Sequence, residues 1–195
     1  MLTAKQSEFM QEAINLSIEN VKSGKGGPFG AVIVKDGKMT GVFIDAAMDL
    51  IQVPTPNRQT AIKGLIDAQK IAFSYGLTTV DDAGLDQSTV ELIDSLQQEN
   101  ELKIRIYAMI SATQKNLDYY INKGIIKTDR LHVRSFKIYG DGALGSRGAA
   151  MRKSYSDRSN HFGALIYKPE RYREMAKQIA ASEYQMNTHA IGDSA

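Results

Sequence analysis

The chain has 195 residues and contains no cysteine. It therefore cannot form disulfide bonds or hold a metal through thiolates. No apolar run is long enough to cross a bilayer, and Met1 leads directly into a polar segment, unlike a secretory signal peptide. Lysine and arginine number 24 against 22 aspartate and glutamate residues, so charge indicates neither a nucleic-acid nor a membrane partner. A cytoplasmic location is the default expectation.

An alternation of helical and strand patterns follows residue 56. It predicts helices over 57–75, 88–100, 113–123 and 169–182, strands over 77–82 and 103–110, and two later strands that carry Lys137 and His189. Ser88, with Glu91 three residues later, is the expected N-cap of the second helix. Such a rhythm predicts parallel strands with right-handed crossovers, and thus an α/β fold. Four parallel strands make half of a closed (β/α) barrel.

The segment LHVRSFKIYGDGALGSRG, residues 131–148, places a lysine in an apolar strand before a glycine-rich turn. Strict alternation puts Phe136 and Ile138 on one face, and puts Val133, Ser135, Lys137 and Tyr139 on the other. An inward-facing ammonium is costly unless it is paired or used chemically, so Lys137 indicates either a functional site or the wet face of an ordinary sheet. The glycines let backbone approach a ligand, with Asp141, Ser146 and Arg147 as candidate substrate-binding residues.

The C-terminal segment YQMNTHAIGDSA repeats this arrangement, with a histidine near a strand end followed by Gly-Asp. Asn187 and His189 share a face of that strand. Functional groups of parallel α/β proteins gather at the carboxyl ends of strands. His189 is therefore a candidate metal ligand, and Asp193 a candidate substrate-binding or supporting residue.

Four segments in order resemble metal-dependent amidohydrolases of the N-substituted formamide deformylase-like subgroup, over about residues 40–195. They are TGVFIDAAMDLI (40–51), YGLTTVDDAG (75–84), VRSFKIYGDGALGSRGAAM (133–151) and THAIGDSA (188–195). The resemblance implies a partial TIM-type barrel and one or two divalent metal ions, most often zinc. In such enzymes the metal polarises a substrate carbonyl and lowers the pKa of a bound water. It also implies that Lys137 matches the metal-ligating, often carboxylated lysine of the fourth strand, and His189 the histidine of the fifth.

The other metal ligands of that family, which include a His-x-His pair on the first strand, are missing from this sequence. His132 and His161 are the only other histidines, and neither belongs to a His-x-His pair. Because a catalytic zinc normally takes three protein ligands, we expect weak or no zinc binding unless Asp81, Asp82 or Asp141 contributes. Without a metal pair Lys137 should be an unmodified ammonium, close to Asp82 or Asp141 or open to water.

Residues 1–38 resemble a different family. An amphipathic helix with Phe9, Leu16 and Ile18 on its apolar stripe, ending at Gly24, precedes GGPFGAVIVKDG, with a strand over 29–34 and a turn at Asp36-Gly37. This is similar to the start of nucleoside and guanine deaminases, whose Pro-Cys-x-x-Cys zinc motif a chain without cysteine cannot contain. We therefore expect a deaminase-like segment over 1–38 joined to an amidohydrolase segment over 39–195.

Three functions stay open on this basis. The first is a hydrolase of non-peptide carbon–nitrogen bonds with a small amide-type substrate, truncated and inactive alone. The second is a deaminase-like protein without its zinc motifs. The third is a non-catalytic fusion remnant, or a half-barrel that a partner completes and that self-associates through its open edges. A dinucleotide site at the Gly140–Gly145 G-x-G-x-x-G is disfavoured because no clear helix pattern follows it.

Overall fold

The computed structural model describes residues 3–23, 32–35, 38–40 and 56–195. The chain folds into two compact units. One comprises residues 1–52, 141–166 and 190–195, and the other comprises residues 53–140 and 167–189. Among the described residues, no helix has the length and apolar character that a membrane span requires.

The first unit begins with helix α1 (Ala4–Lys22). Thr3 and Gln6 form a capping box, because the Thr3 amide donates to the Gln6 side chain at 2.8 Å and the Gln6 amide donates to Thr3 Oγ1 at 3.2 Å. Strands β1 (Ile33–Lys35) and β2 (Lys38–Thr40) pair antiparallel. The predicted stop at Gly24, the first part of the strand over 29–34, the turn at Asp36-Gly37 and the motif beyond Thr40 lie outside the described residues.

The second unit contains the main sheet. Its strands are β3 (Thr79–Leu85), β4 (Arg105–Ser111), β5 (Ile126–Lys127), β6 (Leu131–Tyr139) and β7 (Gln185–His189). The four long strands run parallel in the order β3-β4-β6-β7, and the short β5 pairs antiparallel with the start of β6. The four predicted strands are confirmed, whereas β5 was not foreseen.

Helix α2 (Arg58–Ser74) precedes β3, and three helices connect the parallel strands: α3 (Gln87–Gln98), α4 (Gln114–Lys123) and α5 (Pro169–Ala180). Side chains of α3, α4 and α5 bury one sheet face in a single apolar core, which includes Ile93, Leu117 and Met175 from the helices and Ile110 and Phe136 from the sheet. The opposite face carries Lys137 and His189.

The predicted N-cap of α3 was wrong. Asp86 caps the helix by accepting a hydrogen bond from the Thr89 amide at 2.8 Å, and Ser88 donates its own hydroxyl to Asp86 at 3.1 Å. Aspartate accepts more strongly than serine at this position because it is charged and faces the positive end of the helix dipole. The predicted end of α4 at Gly124 is confirmed, with a left-handed φ of +84° that suits glycine.

Two buried glutamines hold the chain where it enters β4. Gln69 Oε1 accepts from the amides of Lys103 and Ile104, and Gln97 Nε2 donates to the carbonyl of Ile104 at 3.0 Å. These side chains hydrogen-bond to backbone amides and a carbonyl that would otherwise pair with a neighbouring strand. This explains why β4 starts at Arg105 rather than at Lys103, where the sequence predicted it.

Strand β6 contains a β-bulge that overturns one prediction. Ala108 pairs with Val133 and Met109 with Ser135, so Arg134 is the extra residue. Because of this insertion, Val133 lies fully buried in the same core as Phe136 and Ile138. The prediction that Val133 shares a face with Lys137 was therefore wrong, since strict alternation fails across a bulge.

Candidate functional site

Strands β6 and β7 bring Lys137 and His189 to the same face and the same edge of the sheet. Lys137 pairs with Asn187, and Tyr139 pairs with His189, in parallel register. Phe136 and Ile138, which alternate with these residues, are 0% and 2% exposed in the helix-covered core. Lys137 and His189 thus face away from the helices, at the carboxyl ends of adjacent parallel strands, as the sequence predicted.

Tyr139 contacts both of these side chains. The Lys137 ammonium is 5.1 Å from the centroid of the Tyr139 ring, and the His189 ring centroid is 5.6 Å from it, with the two planes inclined at 48°. The backbone also ties the strand ends together, because the Gly140 amide donates to the His189 carbonyl at 2.7 Å. The two candidate ligands and Tyr139 form one cluster, which we call the strand-end cluster.

A second polar group occupies the amino end of the same face. Tyr107 donates its hydroxyl to Ser135 Oγ at 3.0 Å, and its ring meets His132 edge-on at 5.4 Å. Burial, with the nearby charges of Lys127 and Arg134, lowers the pKa of His132, so its imidazole is neutral at pH 7. His132 lies five residues before Lys137 along β6 and is not part of the strand-end cluster.

The described residues supply an incomplete ligand set for a catalytic metal. Among them, no group of three or more histidines, aspartates and glutamates is arranged to hold an ion. Asp81 pairs with Tyr107 and shares the site face, but Asp82 pairs with Ala108, which belongs to the buried core. Of the three surroundings expected for Lys137, this register disfavours Asp82, and Asp141 or open water stay predictions. Partial burial raises the pKa of Asp82.

Asp141 binds backbone amides in the first unit. Its carboxylate is 1% exposed and accepts from the amides of Ala150 at 2.8 Å, Ile191 at 3.0 Å and Gly192 at 2.7 Å. Three charge-assisted bonds join residues that are distant in sequence, which is typical of a structural carboxylate. We call this arrangement the Asp141 clamp. The assignment of Asp141 as a substrate-binding residue stays a prediction.

The other candidate substrate-binding residues lie in the same unit. Asp193 is exposed and accepts from the Arg152 amide at 2.8 Å. Ser146 donates its hydroxyl to the Ala143 carbonyl at 3.0 Å. The Arg147 guanidinium pairs with Asp157 at 2.7 Å, and this carboxylate raises the pKa of Arg147. Their roles in substrate binding stay predictions.

The glycine-rich turn does not open a helix. Residues 141–166 contain turns and isolated bridges only, so the G-x-G-x-x-G of Gly140–Gly145 lacks the helix N-terminus that would bind a pyrophosphate. Within this segment, His161 Nε2 donates to the Arg147 carbonyl at 2.8 Å, and the Tyr155 hydroxyl donates to the Ala149 carbonyl at 2.9 Å. These contacts hold the turn in shape without a cofactor.

Tyr139 is the site residue that sequence reasoning did not single out. Its signal was present, because it shares a face with Lys137 two residues earlier and immediately precedes the Gly-Asp-Gly turn. The amide partners of Asp141 carried no sequence signal, since Ile191 and Gly192 lie about fifty residues away.

Comparison with known proteins places this geometry in context. A 28% identical match over 205 residues to Protein LONG AFTER FAR-RED 3 of Arabidopsis thaliana includes 95% of the chain and 35% of that protein. YtcJ of Bacillus subtilis, named as an amidohydrolase, is 27% identical over 175 residues, which include 85% of the chain and 33% of YtcJ. The chain thus spans about a third of the length of these two relatives.

A shorter match concerns the deaminases. Guanine deaminase of Bacillus subtilis is 33% identical over 69 residues, which include 35% of the chain and 42% of that enzyme. This gives weak support to the deaminase resemblance. The boundary expected between residues 38 and 39 falls inside strand β2.

Two solved structures share the fold. Uncharacterised metal-dependent hydrolases from Pyrococcus horikoshii and Pyrococcus furiosus superpose with TM-scores of 0.68 and 0.67, at 23% and 22% identity. Each superposition covers 76% of this chain, and 31% and 32% of the respective hydrolase. The parallel sheet with its helices is therefore part of a TIM-type barrel.

A sequence model of the Amidohydrolase family matches residues 22–195. This match includes all four long parallel strands and both residues of the strand-end cluster that the sequence singled out. The chain therefore belongs to the amidohydrolase family.

Proposed function

We propose that this chain contributes part of the active site of a metal-dependent hydrolase that acts on non-peptide carbon–nitrogen bonds of small amide-type substrates. The observation that carries the proposal is the placement of Lys137 and His189 on one face of adjacent parallel strands, at their carboxyl ends. Active sites of TIM-type barrels lie at this edge. The names of YtcJ and of the two Pyrococcus hydrolases support the reaction class.

In this proposal Lys137 and His189 are two of the metal ligands. A neutral imidazole is a common zinc ligand, and a lysine amine can ligate only when it is deprotonated or carboxylated. Two donors cannot enclose a zinc ion, which takes three protein ligands in catalytic sites. We therefore infer that the 195-residue chain binds zinc weakly and does not hydrolyse substrate alone.

Zinc binding by the 195-residue chain tests this proposal. After incubation with Zn²⁺ and dialysis, elemental analysis should find less than one equivalent, and calorimetric titration should give weak binding. The His189→Ala variant should lose most of that binding. His132→Ala is the matched control, because it removes an imidazole from the same sheet face but from the opposite end of β6.

Each outcome bears on a different part of the proposal. Equal zinc binding by the wild type and His189→Ala would refute the site assignment. One tightly held equivalent, with turnover of an N-substituted formamide, would refute the incompleteness of the ligand set. A carbamate signal in a ¹³C spectrum recorded with labelled bicarbonate would make Lys137 a ligand in this chain, whereas its absence would leave His189 as the ligand beside Lys137 as an unmodified ammonium, which cannot bind the ion.

A second candidate is a half-barrel that another chain completes. Among the described residues, β3 pairs only with β4, and β7 pairs only with β6, so the parallel sheet has two edges. Unpaired edges favour association with a further strand-bearing chain. Concentration-dependent sedimentation would detect self-association, and a purely monomeric chain at high concentration would count against this candidate.

A further inference from the structure

The strand-end cluster contains an aromatic residue whose contacts are more specific than packing requires. We propose that Tyr139 is a positioning residue, whose ring orients the Lys137 ammonium and the His189 imidazole while its hydroxyl anchors the ring to β3. The functional meaning of this role rests on the proposed function, because it takes Lys137 and His189 as the working side chains. The geometry of Tyr139 itself can be tested separately.

The ring contacts both working side chains. The Lys137 ammonium lies 5.1 Å from the ring centroid, within the range of a cation–π interaction. The His189 ring lies 5.6 Å from the Tyr139 ring at an angle of 48°, and Tyr139 and His189 are directly paired in the parallel register. One aromatic ring thus restricts the rotamers of two neighbours that have no direct pairing with each other.

The hydroxyl fixes the position of the ring. Tyr139 Oη donates to the carbonyl of Ala83 at 3.2 Å, so the side chain reaches from β6 across β4 to β3. The register of β3 against β4 skips Gly84, which forms a bulge with φ of +134° beside this carbonyl. A Cβ on Gly84 would lie 3.4 Å from Tyr139 Oη, an ordinary van der Waals distance, so the glycine bulge and the tyrosine hydroxyl are neighbours. Bulges of this kind occur near functional sites, where they redirect local groups.

Burial does not explain this arrangement. Tyr139 is 43% exposed, whereas Tyr120 and Tyr184, which pack in the core, are 0% and 6% exposed. Tyr139 gains less from the hydrophobic effect than these core tyrosines, and its three specific contacts add restraints on its ring. This pattern fits a side chain that holds its neighbours in place.

Nuclear magnetic resonance of the labelled 195-residue chain tests the proposal directly. The Hε–Cε signal of Lys137, assigned by its disappearance in Lys137→Arg, should show an upfield ring-current shift. Tyr139→Leu should return that signal to the position of an exposed lysine. Tyr139→Phe keeps the ring but removes the hydroxyl, so it should give a smaller shift. Tyr107→Leu is the matched control, because Tyr107 is a tyrosine of the same face at the amino end of β4, and should leave the signal unchanged.

The results separate this proposal from the proposed function. An unchanged Lys137 signal in Tyr139→Leu would overturn the ring contact, and wild-type behaviour of Tyr139→Phe would overturn the hydroxyl anchor. If Tyr139→Leu does not fold, the Tyr139→Phe comparison still decides about the anchor. Calorimetry should show several-fold weaker zinc binding in Tyr139→Leu, and equal binding would contradict its positioning role. If His189→Ala leaves zinc binding unchanged while the Lys137 signal responds as expected, the proposed function fails and the geometry of Tyr139 stands.

Discussion

Replacing Asp141 with asparagine should destabilise the first unit, because it removes the charge at the centre of the Asp141 clamp. Oδ2 accepts from the amides of Ala150 and Gly192, and Oδ1 accepts from that of Ile191. The best orientation of asparagine keeps its oxygen toward Ala150 and Gly192 and turns its NH₂ group toward the Ile191 amide. The hydrogen bond from the Ile191 amide is then lost, and the bonds from the Ala150 and Gly192 amides are made to a neutral oxygen instead of a charged one.

The magnitude follows from these three bonds. A hydrogen bond to a charged group contributes about 1.5–3 kcal/mol, and a neutral one about 0.5–1.5 kcal/mol. Losing one and weakening two would cost about 3.5–6 kcal/mol by this reckoning. Relief of the desolvation penalty of a carboxylate that is 1% exposed offsets part of the cost. We expect a net loss of about 2–3 kcal/mol, which corresponds to a fall of about 5–10 °C in Tm for a chain of this size.

Thermal unfolding and hydrogen exchange together test this expectation. Amides of 148–152 and 190–194 should exchange faster in Asp141→Asn, whereas those of β4 should not. Asp193→Asn is the matched control, because this exposed carboxylate accepts one bond, from the Arg152 amide, and should lower the stability by less than about 1 kcal/mol. An Asp141→Asn variant as stable as the wild type would refute the clamp and favour the predicted contact with substrate.

Two further predictions concern stability. Tyr120→Phe should stabilise the protein by up to about 1 kcal/mol, because among the described residues its buried hydroxyl has no hydrogen-bond partner. Tyr184→Phe should cost about 1 kcal/mol, because it leaves the Gly124 carbonyl without its donor. Equal effects of the two changes on urea denaturation would contradict this prediction. Asp86→Ala should cost about 1 kcal/mol at pH 7. The hydrogen bond from Thr89 lowers the pKa of Asp86 in the folded state, so the cap stabilises above the unfolded pKa of about 4 and is lost as the pH falls through the folded value. The difference in Tm between wild type and Asp86→Ala should therefore shrink below about pH 4, and a constant difference would argue against the charged cap.

The sequence predicted the parallel strands well because their signals are local. Apolar runs located β4 within two residues and placed Lys137 and His189 in strands, and the facing of these two residues followed from alternation alone. The four-strand count and the α/β class rested on the same periodicity.

The failures involve interactions between distant residues. The bulge at Arg134 depends on register against β4, which one strand's pattern does not contain. The start of β4 is set by Gln69, more than thirty residues earlier, and the Asp141 clamp joins residues about fifty positions apart. Tyr139 was placed on the correct face, but its bond to Ala83 depends on the order of strands in space.

The bulge at Arg134 divides β6 into two halves, and the alternation of side chains between the two sheet faces restarts after it. Before it, Leu131 and Val133 face the core, and after it Phe136 and Ile138 do so, although Val133 and Phe136 are an odd number of positions apart. If β6 ran straight through Arg134 without the bulge, regular alternation would turn either the first half or the lysine-bearing second half to the wrong face, whereas deleting Arg134 would leave Leu131, Val133, Phe136 and Ile138 in one regular phase. The extra residue therefore leaves the choice of core-facing side chains unchanged, and what it adds to β6 is a local bend and a stronger twist ahead of the lysine-bearing half.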